Sequence, residues 1–340
     1  MTKRMQKPIL KILCVCILLL TLCLPVAAAG GVKEVIPGGM PFGVKYYAEG
    51  AIVIGVCDVE TTTGLISPAR DAGLVKGDVI THACGSKIRT LEELLKLVEG
   101  CGGQKIEIGY TRNGTASKLN LAPARDRNTG KYRMGVWVRD STAGIGTVTY
   151  IEKDTLQFGG LGHGINDAST GMLMPFGSGT VVEVTIDDIK KGMKNAPGEL
   201  KGTFLQRELG ALSRNTEAGV FGTLEYLPEA GTKTIPVGSA ADVKTGKATV
   251  RSCASGTVKD YEIEIEEIYT PAGKTKNFLI HVTDPQLLAL TGGIVQGMSG
   301  SPIIQNGKLI GAVTHVLVND PTRGYGIFIE NMLDAAVAGA

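Results

Sequence analysis

The first pattern along the chain is an unbroken apolar run. Residues 12–24 carry no polar side chain except Thr21, and no charge intervenes before Lys33. Lys3, Arg4, Lys7 and Lys11 precede the run, and Ala27, Ala28 and Ala29 follow it. A basic start, an apolar stretch and a small-residue site predict a secretory signal. The same stretch is long enough to span a bilayer if it stays uncut. Residues 1–32 are therefore expected to be a signal peptide or a membrane anchor, with the rest of the chain exported. Further on the period changes. Thr90 with Glu93 reads as a helix start, Leu91, Leu94, Leu95 and Val98 form one apolar face, and Gly100 ends it. Asn113-Gly114 between residues 105–110 and 116–121 predicts a hairpin. Beyond residue 135 the period is mostly two, most cleanly over 261–266 and 308–318. Residues 187–193 and 331–337 are the helical candidates there.

Strands, a small-residue turn, a capped helix and a hairpin, in that order, resemble a PDZ domain. Ala72-Gly73-Leu74 with Lys76-Gly77-Asp78-Val79-Ile80 carries most of the likeness. Such domains capture an extended peptide at a sheet edge. Pro41-Phe42-Gly43-Val44 stands where the capturing loop is expected, which makes Phe42, Gly43 and Val44 candidates for peptide contact. Charged, turn-rich residues 123–134 read as a linker. The expected division is 1–32 signal or anchor, 33–122 PDZ domain with its preceding linker, 123–134 linker and 135–340 second domain. That second domain is expected to be mainly β, as a sandwich or a double barrel.

Composition narrows the classes. Hydrophobic residues make up 43% and charged residues 20%, enough for a packed core. A net charge of +2 gives nucleic acid no electrostatic footprint. The chain has 47 glycines and 5% aromatics, which suits short strands joined by turns. Of seven cysteines, Cys57, Cys84, Cys101 and Cys253 lie beyond the apolar segment, none at metal-ligand spacing. No metal or organic cofactor is expected. Trp137, the sole tryptophan, reads as a core anchor.

The sharpest chemical motif is Gly297-Met298-Ser299-Gly300-Ser301-Pro302, followed by a turn at Asn306-Gly307 and an apolar strand. It resembles the nucleophile loop of chymotrypsin-like serine proteases, with Ser301 in place of a glycine. Glycines let the backbone turn sharply, so that the hydroxyl projects and the Gly297 and Ser299 N–H groups converge as an oxyanion hole. A serine nucleophile needs a base. Of His82, His163, His281 and His315, we rank His163 first, because a base in the first barrel, ahead of the serine, matches the chymotrypsin order. Asp167, Asp187, Asp188, Asp242, Asp260 and Asp284 lie between base and nucleophile, and spacing does not choose among them. His315, sixteen residues after Ser299, is a candidate for the specificity pocket.

Residues 299–332, with Thr314-His315-Val316 and Tyr325-Gly326-Ile327-Phe328, resemble the stage IV sporulation protein B peptidases of endospore formers. So do residues 139–147 and Gly160-Leu161-Gly162-His163-Gly164. The resemblance implies an N-terminal anchor, a small PDZ domain and a chymotrypsin-like double β-barrel, with a triad of His163, Asp284 and Ser299. It also implies export into the forespore intermembrane space and self-cleavage near the N-terminus. The implied partner is a membrane-embedded regulator of an intramembrane metalloprotease that processes a mother-cell sigma factor. Two other readings compete: a membrane-tethered PDZ binding module on an inactive protease scaffold, and an HtrA-like quality-control protease.

Overall fold

Alternating sequence becomes half-buried strand in one stretch and strand buried on both faces in another, Lys308–Leu317. In Lys259–Ile268, Tyr261, Ile263 and Ile265 turn inward while Glu262 and Glu264 face solvent. The computed structural model describes residues 34–228, 232–269 and 275–338. The expected signal or anchor lies outside the described residues.

Six strands close a C-terminal barrel. Gly246–Ser252, Lys259–Ile268, Phe278–Val282, Asp320–Phe328, Lys308–Leu317 and Pro302–Gln305 follow one another around the ring, and the last pairs with the first. Val250, Ile263, Phe278, Ile280 and Val313 fill it. A second ring lies N-terminal to it. Pro41–Val56 pairs with Val136–Ile151, then come Gln157–Gly160, Gly219–Leu224, Glu199–Thr216 and Phe176–Lys190, which returns to Pro41–Val56. Phe42, Val148, Phe158, Val181 and Val220 form its core. Closure removes the open edges that an apolar sheet would otherwise expose.

The PDZ segment grows out of this first barrel. Pro41–Val56 and Val136–Ile151 are each 16 residues long and pair along most of their length. Pro41 to Tyr47 pairs with Ser141 to Thr147 inside the barrel, and Ile52 to Val56 pairs with Val136 to Arg139 outside it. A register shift between Arg139 and Ser141 separates the two stretches, and such shifts bend a strand. Val79–Ala83, Ile106–Arg112 and Thr115–Leu121 extend the outer sheet. The helix Leu91–Gly100 packs Leu94 and Val98 on it, capped by the Thr90 side chain on the Glu93 N–H.

Three sequence expectations change. Residues 34–48 supply strands to the first barrel, so they do not belong to the PDZ segment. Residues 187–190 end the strand Phe176–Lys190 instead of starting a helix, because Ile186 and Ile189 pack against the second barrel. The expected linker holds a short strand pair, Ala124–Arg125 with Tyr132–Arg133. The helix Ile329–Val337 forms as the periodicity predicts.

Candidate active site

The nucleophile loop lies between the barrels and is tied to both. Gly297 and Gly300 have φ of +96° and +93°, the left-handed region that glycine tolerates. The Gly300 N–H donates to the Val313 carbonyl in the second barrel. The first barrel grips the same loop with three bonds. Thr147 N–H donates to the Ser299 carbonyl at 2.9 Å, Thr147 Oγ1 to the Gly297 carbonyl at 2.8 Å, and Thr149 Oγ1 to the Gly300 carbonyl at 2.7 Å. With its carbonyls occupied, the loop leaves donors free. Among the described residues, the Gly297 and Ser299 N–H groups donate to no protein acceptor. Ser301 needs no left-handed backbone, so a side chain is accepted there, although its buried hydroxyl finds no partner among the described residues.

His163 follows the strand Gln157–Gly160 through a left-handed turn at Leu161 and Gly162. Its Nδ1 lies 2.9 Å from the Gly164 carbonyl. A carbonyl can only accept, so Nδ1 carries the proton and Nε2 is left as the basic atom. Ser299 Oγ donates to the Thr314 carbonyl at 3.0 Å. The His163 and His315 rings stand 5.1 Å apart and tilted by 38°. His163, Ser299 and His315 line one cavity of about 480 Å³, with Gly297 and the apolar Ile145, Val295 and Val316. His315 therefore lines the same cavity as Ser299 and His163.

Asp284 does not. Its Oδ1 accepts from the Gln286 and Leu287 N–H groups, capping the helix Pro285–Thr291, and its Oδ2 accepts from the Glu262 N–H. It does not line the cavity, and no other described carboxylate does. Asp167 is buried but held by Arg139 at 2.5 Å and by the Ser169 and Thr170 N–H groups. The triad member implied by resemblance is thus a helix cap, and the Gly164 carbonyl fixes the tautomer of His163. Asp284→Ala should cost about 1 kcal/mol of stability, the usual loss for a cap, and Asp284→Asn less. Both should keep kcat/KM within about threefold. A triad carboxylate would instead lose about 10⁴-fold, and steady-state kinetics on folded variants separates the two.

Burial lowers the pKa of His163, with the Gly164 hydrogen bond opposing it. Burial, then His163, then Lys276 push His315 down to about 4. A depressed base stays neutral to lower pH. We therefore expect kcat/KM to rise through an ionisation below the ordinary 6.5 and to stay flat above it. Stability follows the same sign. Below 6.5 the unfolded chain takes up a proton that the folded chain resists, so stability falls with pH. A pH–rate profile with its acid limb at 7 or higher would contradict this.

Phe42, Gly43 and Val44 are also relocated. Phe42 is fully buried and meets Phe158 edge to face at 5.9 Å. Gly43 pairs with Ile145 on one side and Val182 on the other, and Val44 lines the catalytic cavity. With both strand edges filled, no peptide can add there. A free edge exists elsewhere. Val136 to Val138 pairs with Val53 to Val56 on one side and has no strand partner on the other among the described residues. A cavity of about 120 Å³ separates that edge from the helix face of Leu91, Leu94, Leu95 and Val98. Leu95 is 55% exposed and Trp137 63%, so Trp137 is no core anchor. The missed signal was Gly135, at φ +75°, ahead of the alternating Val136-Trp137-Val138.

Residues 130–333 match the SpoIVB peptidase S55 family and residues 48–122 match the PDZ domain. The chain belongs to the SpoIVB peptidase S55 family. It is a serine peptidase that carries a PDZ domain. Solved structures are similar to this chain only weakly. The Rv3671c protease of M. tuberculosis in its inactive form is 18% identical over 58% of this chain and 85% of its own, with a TM-score of 0.33. The HtrA-type protease AlgW with a decapeptide is 13% identical over 58% and 53%, with a TM-score of 0.33. The PDZ domain of an SdrC-like protein from Listeria monocytogenes is 21% identical over 26% and 87%, with a TM-score of 0.22. Among the described residues no cluster of His, Cys, Asp and Glu could hold a metal.

Proposed function

We propose that this S55 peptidase is a self-processing signalling protease of sporulation, exported and membrane-tethered, acting in the forespore intermembrane space. Its substrates are its own N-terminal region and a membrane-bound regulator of an intramembrane metalloprotease that processes a mother-cell sigma factor. Family membership supports this physiological setting. The observation that carries the chemistry is the nucleophile loop, with two unengaged N–H groups, facing His163 in one cavity. Ser299 attacks the peptide carbonyl, His163 Nε2 takes its proton and returns it to the leaving amine, and the Gly297 and Ser299 N–H groups hold the oxyanion.

Before substrate binds, Ser299 points to Thr314 and not to His163, so catalysis starts with a rotation of its hydroxyl. The PDZ groove between Trp137 and Leu95 recruits the protein substrate by strand addition. Trp137→Glu should cut the cleavage of the membrane-bound regulator at least about tenfold by charging an apolar groove. It should leave hydrolysis of short peptides unchanged. Parallel loss of both would show that the groove serves the fold and not recruitment. N-terminal sequencing of products tests self-processing in the same preparations.

A further inference from the structure

The substrate strand can be placed from Ser299. Its Oγ sits 3.0 Å from the Thr314 carbonyl, so the residue under attack lies beside Thr314. His315 and Val316 pair with Tyr325 and Gly324 on one side. Their other edge opens to the cavity. A substrate adding antiparallel there places the residue before the scissile bond at Thr314 and the third one back near Val316. Its N-terminal flank then runs toward Val318.

What stands at Val318 is a basic and apolar loop. Asn195, with φ +63°, donates its N–H to the Val318 carbonyl at 2.7 Å. The loop's far end bonds the cavity wall, Gln296 N–H to the Gly198 carbonyl at 2.9 Å and Leu200 N–H to the Gln296 carbonyl at 2.8 Å. Residues 191–198 are thereby fixed beside the site. Met193 is 65% and Val318 52% exposed, which is unusual for apolar side chains held in place. Lys190, Lys191 and Lys194 are exposed and make no ion pair among the described residues. Neighbouring carboxylates are engaged elsewhere, Asp188 with Lys201 at 3.6 Å and Asp320 with Arg323 at 2.6 Å. Glu199, the segment's one acidic residue, stands across the strand pair from Lys190 and leaves Lys191 and Lys194 without a facing carboxylate in the segment.

We propose that Met193, Val318 and the three lysines form a subsite for the N-terminal flank of the substrate, selecting acidic side chains four to six residues before the cleaved bond. The occupant is the substrate itself, because the loop is bonded to Gln296 of the cavity wall and to Val318, two residues past Val316 of the cavity lining, and because its charge is net positive, three lysines against Glu199. This deepens the peptidase reading and rests on it.

The test uses three synthetic peptides built on the best-cut sequence from a proteome-derived library. One carries Asp and Glu at the fourth to sixth positions before the bond, one carries Lys there, and one is truncated after the third. Wild type should cut the acidic peptide about tenfold faster than the basic one in kcat/KM, about 1.4 kcal/mol, and the gap should shrink in 1 M salt. Lys191→Glu with Lys194→Glu should invert the order while cutting the truncated peptide as wild type does. Cleavage of the truncated peptide by wild type keeps the peptidase assignment independent of this outcome. An unchanged acidic-to-basic ratio in the double variant, or an equal loss on all three peptides, overturns the subsite.

Discussion

Ser299→Ala is expected to remove peptide hydrolysis almost completely, by about 10⁶-fold in kcat, while leaving the melting temperature unchanged. The hydroxyl makes a single hydrogen bond, to the Thr314 carbonyl, and the loop's shape depends on the bonds of Thr147 and Thr149 to neighbouring carbonyls. Removing one oxygen leaves those bonds intact. His163→Ala should lose about as much, because an alcohol without a base is a weak nucleophile. The double variant should be no worse than either single one, since the two act as a unit. Two losses that multiply would mean that His163 and Ser299 act separately. A reactive fluorophosphonate probe that labels the wild type and neither variant would support the pairing. Cleavage retained by homogeneous Ser299→Ala protein would remove Ser299 from the mechanism.

The loop was legible because its chemistry is local. Gly297, Ser299 and Gly300 stand within four residues, and the two glycines mark the positions that take left-handed φ of +96° and +93°. The helix Leu91–Gly100 was legible for the same reason, with its cap and apolar face in one short window. His163 needed an order argument, since its partners Ser299 and His315 lie more than 130 residues away. Asp284 came only from resemblance, and its local setting, one residue before Pro285 at a helix start, fits a cap equally well. Phe42 to Val44 failed for a physical reason that recurs in β proteins. Alternation says that a strand exists but not which edges are filled, and here distant strands fill both. Trp137 failed in the opposite sense. Large apolar residues are usually buried, and one left exposed beside a free edge is informative only once the pairing is known.

The tightest constraint in the site is Gly300, and Gly300→Ala should be the most damaging small substitution in the loop. A Cβ there would lie 2.1 Å from the Thr147 carbonyl oxygen and 2.4 Å from the Leu161 nitrogen, both backbone atoms of the first barrel. Neither can swing aside as a side chain would. Relief requires the loop to move off the first barrel, which breaks the Thr149 bond to Gly300 and loosens the Thr147 bonds that aim the oxyanion donors. The left-handed backbone adds about 1–2 kcal/mol, and overpacking adds about 1–3 kcal/mol. Together these should lower the melting temperature by about 8 °C or more. Gly307→Ala isolates the backbone part, because Gly307 has φ +76° and open space around its Cβ position. That variant should lose only the smaller, conformational share and keep its activity. If Gly300→Ala instead melts and cleaves like Gly307→Ala, the two barrels are not clamped together through this loop, and the free N–H groups of Gly297 and Ser299 owe their position to something other than Thr147 and Thr149.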